Sequence, residues 1–159
     1  MNKIKQVLFV CLGNTARSPA AEYLARYRAK KLNVDLIFDS CGFINAFDYI
    51  QPESRKYLDS KGIDYSDFIP KIINRNLLEK QDLILTMEKR HVIEIINTFN
   101  EIKDIEEKTL TLKEFNEETT HTDIIDPYYT SNKTYKKVLR IIDELTEKTI
   151  KKIVNINEL

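Results

Sequence analysis

Four short apolar runs alternate with longer segments of helical periodicity along the chain. The runs lie at residues 7–10, 36–38, 82–87 and 108–112. They are rich in large apolar residues and lack strict polar alternation, which is typical of strands buried on both faces of a parallel sheet. The pattern therefore predicts four parallel strands.

The segments between these runs place apolar residues three and four positions apart, which is the spacing of an amphipathic helix. The predicted helices cover residues 20–31, 52–61, 88–99 and 132–153, and a capping box predicts a short helical turn at residues 76–79. Helices that alternate with strands predict an α/β fold, as a single doubly wound domain with a four-stranded parallel sheet flanked by helices. A chain of 159 residues suits one such domain, over residues 1–159.

The first strand leads through a short polar loop directly into a helix. Ser18 is a favoured N-cap residue, Pro19 is favoured at the first helical position, and Glu22 complements the helix start. A helix N-terminus presents unpaired N–H groups and the positive end of the helix dipole. The loop is therefore predicted to end in an anion-binding site.

The loop itself carries residues suited to oxyanion chemistry. Gly13 permits a tight turn, Asn14 tolerates left-handed geometry, and Arg17 can bind two phosphoryl oxygens with its planar fork. Cys11 ends the strand where α/β sheets bind their ligands, and the donors around its thiol favour a nucleophilic thiolate. A single cysteine after an apolar strand is also a common core residue. The Cys-x5-Arg spacing between a strand and a Ser-Pro helix start favours the nucleophile.

These residues resemble the phosphate-binding loop of the low-molecular-weight protein tyrosine phosphatases. The matching stretch is Cys-Leu-Gly-Asn-Thr-Ala-Arg-Ser at residues 11–18. Two further motifs fit the family in order and separation. They are Asp-Ser-Cys-Gly at residues 39–42, where the family usually has Asp-Ser-Ala-Gly, and Asp-Pro-Tyr-Tyr at residues 126–129. The resemblance covers nearly the whole chain.

The resemblance implies a role for each residue of the site. Cys11 would be the nucleophile, Arg17 the phosphate clamp and Asp126 the general acid. The remaining loop residues would bind the substrate phosphate: Leu12, Gly13, Asn14, Thr15, Ala16 and Ser18. Ser40 would support the loop from the neighbouring strand, although by itself it could equally cap a turn. No cofactor and no metal is expected, because no Asp, Glu, His or Cys cluster has ligand spacing.

Two groups of aromatic residues are candidates for the walls of an aryl-phosphate cleft. Phe47 and Tyr49 belong to a loop after the second strand, and in the family this loop supplies one wall of the substrate crevice. Tyr128 and Tyr129 follow the Asp-Pro pair near the carboxyl end. The aromatics of the first loop could equally cover the edge of the sheet.

A polar loop at residues 117–131 is longer than compact domains usually keep without a functional reason. Pro127 biases Asp126 toward an extended conformation, so that its carboxyl can project from a stiff loop. Asp-Pro alone is an ordinary turn signal, and only the cysteine loop gives it a catalytic meaning. His91 is predicted to lie on the solvated side of the helix at residues 88–99.

The resemblance leaves two substrate classes open. Phosphotyrosine enzymes of the family usually have an aliphatic residue at the position of Thr15, whereas a protein-arginine phosphatase branch has threonine there. Residues 111–115 also resemble that branch, while Tyr128 and Tyr129 resemble the aromatic pair of phosphotyrosine enzymes. We predict hydrolysis of phosphotyrosine and aryl phosphates through a cysteinyl-phosphate intermediate, with phosphoarginine as the alternative.

Two other classes fit the sequence less well. An arsenate reductase needs additional thiols, and Cys41 is the only cysteine besides Cys11. An inactive phosphate-binding module would not need Arg17 and Asp126 together with Cys11. Many family members carry a second cysteine five positions after the nucleophile, where this chain has Ala16. Cys41 could form a reversible bond with Cys11, or it could be a small buried residue in place of the family's alanine.

The composition is balanced between acidic and basic residues. Lys and Arg together number 25, as do Asp and Glu, so no charge bias points to nucleic acid or an anionic membrane as a partner. The chain has no long apolar stretch and no signal-like start, and its two cysteines make no disulfide framework. We expect a cytoplasmic monomer whose partners are phosphorylated protein substrates and the phosphate product.

Overall fold

The computed structural model describes residues 2–158, which form one sheet with helices on both faces. The strands are β1 (Gln6–Cys11), β2 (Ile37–Gly42), β3 (Leu83–Thr86) and β4 (Thr109–Thr111). Their order across the sheet is β2-β1-β3-β4, and every neighbouring pair is parallel. The predicted four-stranded parallel sheet is confirmed.

The helices follow the strands as the periodicity predicted, with small shifts at their ends. They are α1 (Arg17–Lys31), α2 (Pro52–Ser60), α3 (Arg75–Glu79), α4 (Lys89–Thr98), α5 (Ile105–Lys108), α6 (Leu112–Phe115) and α7 (Asn132–Asn157). The sequence did not predict α5 and α6, because a helix of one turn is too short to show a period. None of the described helices is both long and apolar enough to cross a bilayer.

The hydrophobic core is divided between the two faces of the sheet. Along β1, Val7 and Phe9 join a cluster that includes Leu24 of α1 and much of α7. Leu8 of the same strand joins the second cluster, which includes Ile95 of α4. Alternate side chains of the central strand thus support helices on opposite faces, which confirms the doubly wound arrangement.

Two helix starts differ from the prediction. Helix α1 begins at Arg17, and its N-cap position is Ala16, which makes no side-chain cap. Ser18 is therefore not the N-cap, because its hydroxyl is used in contacts beneath the loop. Helix α3 is capped by Asn74, whose side-chain oxygen accepts a hydrogen bond of 2.9 Å from the Leu77 amide, so the predicted capping box at residues 76–79 is wrong.

Cys41 lies on the opposite face of the sheet from Cys11. The register pairs Cys41 with Val10 and Gly42 with Cys11, so the two cysteine side chains lie on opposite faces of the sheet. Cys41 belongs to the cluster with Leu8, whereas Cys11 belongs to the cluster with Phe9. Burial raises the pKa of the Cys41 thiol well above its usual range. The structure therefore favours a core residue at Cys41 over a partner for a reversible disulfide with Cys11.

His91 is buried, and the prediction of a solvated side chain is wrong. Only 1% of the residue is exposed, and its ring lies against Phe43 with a centroid distance of 5.2 Å. Neither ring nitrogen has a hydrogen-bond partner, although Nε2 lies 3.8 Å from Glu88 Oε2. Burial lowers the pKa of His91 to about 4, so the imidazole is neutral at physiological pH. Phe43, which follows β2, covers this face of α4, and the helical period of α4 alone did not show this contact.

Glu22 is also buried, and it lies in the second turn of α1, beyond the first turn that it was predicted to complement. The residue is 3% exposed, its Oε1 accepts a hydrogen bond of 2.6 Å from the Ser40 hydroxyl, and Arg26 forms an ion pair with its other oxygen. Burial raises the pKa of Glu22 to about 7, although the Ser40 bond and Arg26 oppose this change.

We expect the Glu22→Gln substitution to alter the pH dependence of stability. The native pKa of Glu22 exceeds the unfolded value of 4.5, so the native state binds more protons and Glu22 reduces stability progressively as the pH rises toward 7. Between about pH 5 and about pH 8, the free energy of unfolding of the variant should rise relative to that of the wild type by on the order of 2–3 kcal/mol. Chemical denaturation at several pH values measures this shift. The exposed Glu144→Gln is the control, and a pH-independent difference for Glu22→Gln would contradict the assignment.

Candidate active site

The residues around Cys11 enclose a cavity at the carboxyl edge of the sheet. Cys11 is the last residue of β1, next to the position where the strand order reverses and open α/β sheets bind ligands. The cavity has a volume of about 280 Å³. It is lined by Cys11, Leu12, Gly13, Thr15, Ala16, Arg17, Ile44, Ala46, Phe47, Gln51, Asp126 and Tyr128. The structure thus brings the three predicted catalytic residues to one cavity.

A buried hydrogen-bond network lies beneath the loop and fixes the environment of the thiol. Asn14 adopts a left-handed backbone conformation with φ of 53°, and its Nδ2 donates hydrogen bonds of 2.9 Å to both Ser18 and Ser40. The Ser18 hydroxyl lies 2.9 Å from Cys11 Sγ, and its other acceptor, the Cys41 carbonyl, is farther away at 3.4 Å. Since Ser18 already accepts from Asn14, its own proton is free to bind the sulfur, which stabilises a thiolate.

The predicted phosphate-binding residues fall into two groups. Leu12, Gly13, Thr15 and Ala16 line the cavity, so these residues can face a bound oxyanion. Asn14 and Ser18 are fully buried beneath the loop and do not line it. These two residues support the loop, as does Ser40, which lies within β2 opposite Phe9 and not after the strand end.

The loop packs so closely against β2 that residue 42 must be glycine. A Cβ atom on Gly42 would lie 2.7 Å from the Asn14 amide nitrogen and 2.8 Å from the Leu12 carbonyl oxygen. The next residue, Phe43, donates a backbone hydrogen bond of 2.7 Å to the same carbonyl. Main-chain contacts therefore hold the loop against its neighbouring strand.

Arg17 is anchored on one side of its guanidinium group. The side chain is 1% exposed, and Nη1 donates to Glu88 Oε2 at 2.7 Å and to the Ile124 carbonyl at 2.6 Å. Nη2 lies 3.8 Å from Asp126 Oδ2. Burial would raise the pKa of Glu88, but its bonds to Arg17 and Arg90 outweigh this effect and leave the pKa below its usual value. Glu88 is thus the fixed counter-ion of Arg17.

The loop that carries Asp126 is held against the ends of β3 and α4. The Ile124 amide donates a bond of 2.8 Å to the Met87 carbonyl, and Asp123 Oδ1 accepts one of 2.7 Å from the Lys89 amide. The Asp126 side chain is 43% exposed and faces the cavity. Residues 118–127 contain neither helix nor strand, in agreement with the predicted loop.

Two of the four predicted aromatic residues line the cavity. Phe47 and Tyr128 do so, and their ring centroids are 5.7 Å apart. Tyr49 does not line the cavity but packs on the outside of Phe47 at 5.6 Å, and Tyr129, which is 92% exposed, packs on Tyr128 at 4.1 Å. Tyr49 and Tyr129 are thus not among the residues that line this cavity, and each packs against an aromatic neighbour that does; their role as cleft walls stays a prediction.

Sequence reasoning missed several residues of the site. Ile44, Ala46 and Gln51 line the cavity from a loop without periodicity, where no local signal marked them. Glu88 could have been noticed as an acidic residue just after a buried strand. Among residues 2–158, no three His, Cys, Asp or Glu side chains come together in a group that could hold a metal ion.

Comparison with known proteins matches this arrangement to one family. Residues 6–157 match the family model described as low molecular weight phosphotyrosine protein phosphatase. A protein-arginine-phosphatase of Bacillus subtilis is 30% identical over 148 residues, which are 92% of this chain and 95% of that protein.

Solved structures share the fold over nearly their whole length. A YwlE mutant from B. subtilis superposes with a TM-score of 0.85 at 29% identity, over 94% of this chain and 98% of that one. A low molecular weight protein tyrosine phosphatase from T. tengcongensis gives a TM-score of 0.83 at 33% identity, over 93% and 99% of the two chains. With the family model matched over residues 6–157, the chain belongs to the low molecular weight phosphotyrosine protein phosphatase family.

Proposed function

We propose that this protein hydrolyses phosphotyrosine monoesters in proteins through a cysteinyl-phosphate intermediate. The observation that carries the proposal is the convergence of Cys11, Arg17 and Asp126 on one cavity of about 280 Å³. A thiol nucleophile, a fixed guanidinium and a carboxyl group on a stiff loop are the groups that phosphoryl transfer to a cysteine requires.

The first chemical step transfers the phosphoryl group to sulfur. The substrate dianion binds the loop N–H groups and the free side of the Arg17 guanidinium. The Cys11 thiolate attacks phosphorus in line, so the S–P bond forms as the bond from phosphorus to the tyrosyl oxygen breaks. Asp126 in its protonated form donates its proton to the leaving oxygen, and tyrosine departs neutral.

The second step releases inorganic phosphate. Asp126, now ionised, takes a proton from a water molecule as that water attacks phosphorus. The S–P bond breaks, and the sulfur leaves as a thiolate stabilised by the Ser18 hydroxyl at 2.9 Å. The same carboxyl group thus acts as acid and then as base, which returns the enzyme to its starting state.

The aromatic lining supports phosphotyrosine as the substrate. Phe47 and Tyr128 present ring surface to the cavity, beside the apolar side chains of Ile44 and Ala46. Apolar walls bind the phenyl ring of a tyrosyl group and exclude water from the reacting centre. The proposal includes phosphorylated proteins as partners, phosphate as a bound product, a monomeric state and a cytoplasmic location, where a reducing environment keeps Cys11 free.

Phosphoarginine is the second candidate substrate, because one wall of the cavity is polar. Thr15 lines the cavity and is 5% exposed, so it places a polar residue in a wall that is otherwise largely apolar. A hydroxyl at this position can accept a hydrogen bond from a guanidinium N–H. The similarity to a protein-arginine-phosphatase is consistent with this alternative.

We expect Cys11→Ser to abolish turnover, because serine lacks the thiolate nucleophile. Asp126→Ala should lower kcat by roughly 10²–10⁴ while it spares phosphate binding, since only proton transfer is lost. Steady-state kinetics with a phosphotyrosine peptide and calorimetric titration with phosphate measure the two effects. The exposed Asp48→Ala is the matched control, and normal turnover in the serine variant would refute the assignment.

The two substrate classes can be separated with one purified sample. We expect kcat/KM to be higher for a phosphotyrosine peptide than for a phosphoarginine peptide of the same sequence. Thr15→Ile should lower any phosphoarginine activity by about tenfold, the size of one lost hydrogen bond, and should lower the phosphotyrosine value less. If the wild type prefers phosphoarginine and the isoleucine variant reverses this preference, the second candidate function replaces the first.

Glu88→Gln should weaken catalysis without disturbing the fold. The amide keeps the shape of the side chain but removes the charge that anchors Arg17, so kcat/KM should fall by roughly 10- to 100-fold, as expected for loss of a charge-assisted hydrogen bond. Stopped assays and thermal unfolding measure both properties. Glu114→Gln, which removes an ion pair to Lys89 away from the cavity, is the control. Equal activity of the two variants would show that Glu88 does not position Arg17.

A further inference from the structure

Exposed apolar residues are concentrated at one place beside the cavity that holds Cys11. Ten large apolar side chains are exposed among the described residues, and three of them line a single groove of about 240 Å³. They are Ile44, Ile69 and Ile72, which are 50%, 73% and 51% exposed. Pro70 lies between the last two in the sequence and completes the apolar lining of this isoleucine groove. Clustered apolar side chains on a protein surface, unlike single ones, mark interaction sites.

The isoleucine groove adjoins the cavity directly. Ile44 belongs to the lining of both, so its side chain forms the boundary between them. An extended chain advances about 3.3 Å per residue and directs successive side chains to opposite sides. A peptide whose phosphorylated side chain enters the cavity can therefore reach the groove with a residue within about three positions.

Both walls of the groove are attached to the phosphate-binding loop. On one wall, the Ile44 amide donates a hydrogen bond of 3.1 Å to the Leu12 carbonyl. On the other, the Lys71 amide donates one of 2.9 Å to the side-chain oxygen of Asn14. Ile72 also forms a parallel bridge with the last residue of β2. The groove therefore keeps a fixed position relative to the loop, so little conformational entropy is lost when a ligand fills it.

The chemistry of the groove favours an apolar ligand over an acidic one. Its isoleucine and proline side chains can cover an aliphatic or aromatic residue and exclude water from it. Lys71 supplies the positive charge of the lining, but its ammonium group already forms an ion pair with Asp39. An acidic residue would therefore find no free cation there, whereas an apolar residue would find a matching surface.

We propose that the isoleucine groove binds an apolar side chain of the substrate protein, within about three residues of the phosphorylated one. The inference rests on the proposed hydrolysis of phosphorylated proteins and adds a preference for the neighbouring sequence. A protein substrate continues past the rim of the cavity, and beyond Ile44 it meets this groove. Contact with Ile69 and Ile72 removes apolar surface of both partners from water, which stabilises the complex. A small aryl phosphate has no flanking residue to make this contact.

The test compares phosphotyrosine peptides that carry leucine or serine at one position, taken in turn through the three residues on either side. At one of these positions at least, we expect leucine to raise kcat/KM of the wild type by about five- to tenfold relative to serine. In protein with Ile69→Ser and Ile72→Ser, the same two peptides should differ by less than about twofold, because the apolar surface is lost.

The matched control carries Ile37→Ser and Ile93→Ser. These two isoleucines are 50% and 52% exposed and line neither the cavity nor the groove, so their replacement should leave the leucine preference intact. With p-nitrophenyl phosphate, which has no flanking chain, the groove variant and the control should have similar kcat/KM. Thermal unfolding of both variants checks that the fold is kept.

Three outcomes would overturn the inference. They are equal rates for leucine and serine peptides at every position, a leucine preference that survives Ile69→Ser with Ile72→Ser, and a wild-type dimer in sedimentation that this substitution dissociates. The last result would place a second copy of the chain in the groove. If the wild type hydrolyses no phosphotyrosine peptide, the proposed function fails, and the same comparison in phosphoarginine peptides decides the role of the groove.

Discussion

The geometry of the nucleophile depends on one continuous chain of buried hydrogen bonds. It runs from Glu22 through Ser40 and Asn14 to Ser18 and Cys11, and its distances lie between 2.6 and 2.9 Å. The side-chain nitrogen of Asn14, at the centre of this chain, can only donate. The Ser18 and Ser40 hydroxyls must therefore direct their own protons away from Asn14. The Ser40 proton binds the Glu22 carboxyl group, and the Ser18 proton binds the Cys11 sulfur. The directions of all the bonds are therefore set by a single asparagine, whose left-handed backbone also shapes the loop.

The segment that follows β3 holds the other two residues that we propose to be catalytic, Arg17 and Asp126. Glu88 holds Arg17, while the adjacent Met87 carbonyl and Lys89 amide hold the loop that carries Asp126. Three consecutive residues thus fix both the Arg17 guanidinium and the loop that carries Asp126. Because the clamp is already bound on one side before substrate arrives, little conformational entropy remains to be lost when phosphate binds. This explains how a small sheet can position a site from segments more than 100 residues apart.

The strands, the longer helices and the convergence of Cys11, Arg17 and Asp126 on one cavity could be predicted from the sequence, because apolar runs, helical periods and a fixed motif spacing are local signals. The sequence did not show that Glu88 and Gln51 belong to the site, since their positions there depend on long-range contacts with the loop. The start of α1 was misplaced for a related reason: Ser18 has the composition of a cap, but tertiary partners claim its hydroxyl. His91 was misplaced because the helical period does not show that Phe43 covers that face of α4.

Two of the buried titratable groups, Glu22 and His91, have opposite effects on the protons that folding takes up. In the unfolded chain near about pH 5.5, an imidazole is mostly charged and a carboxyl group is mostly ionised. In the native protein the pKa of His91 is about 4 and that of Glu22 is about 7, so both groups are neutral there. Folding therefore transfers the equivalent of one proton from His91 to Glu22. The interior loses a positive and a negative charge together, so these two groups between them leave the net charge in weak acid almost unchanged by folding.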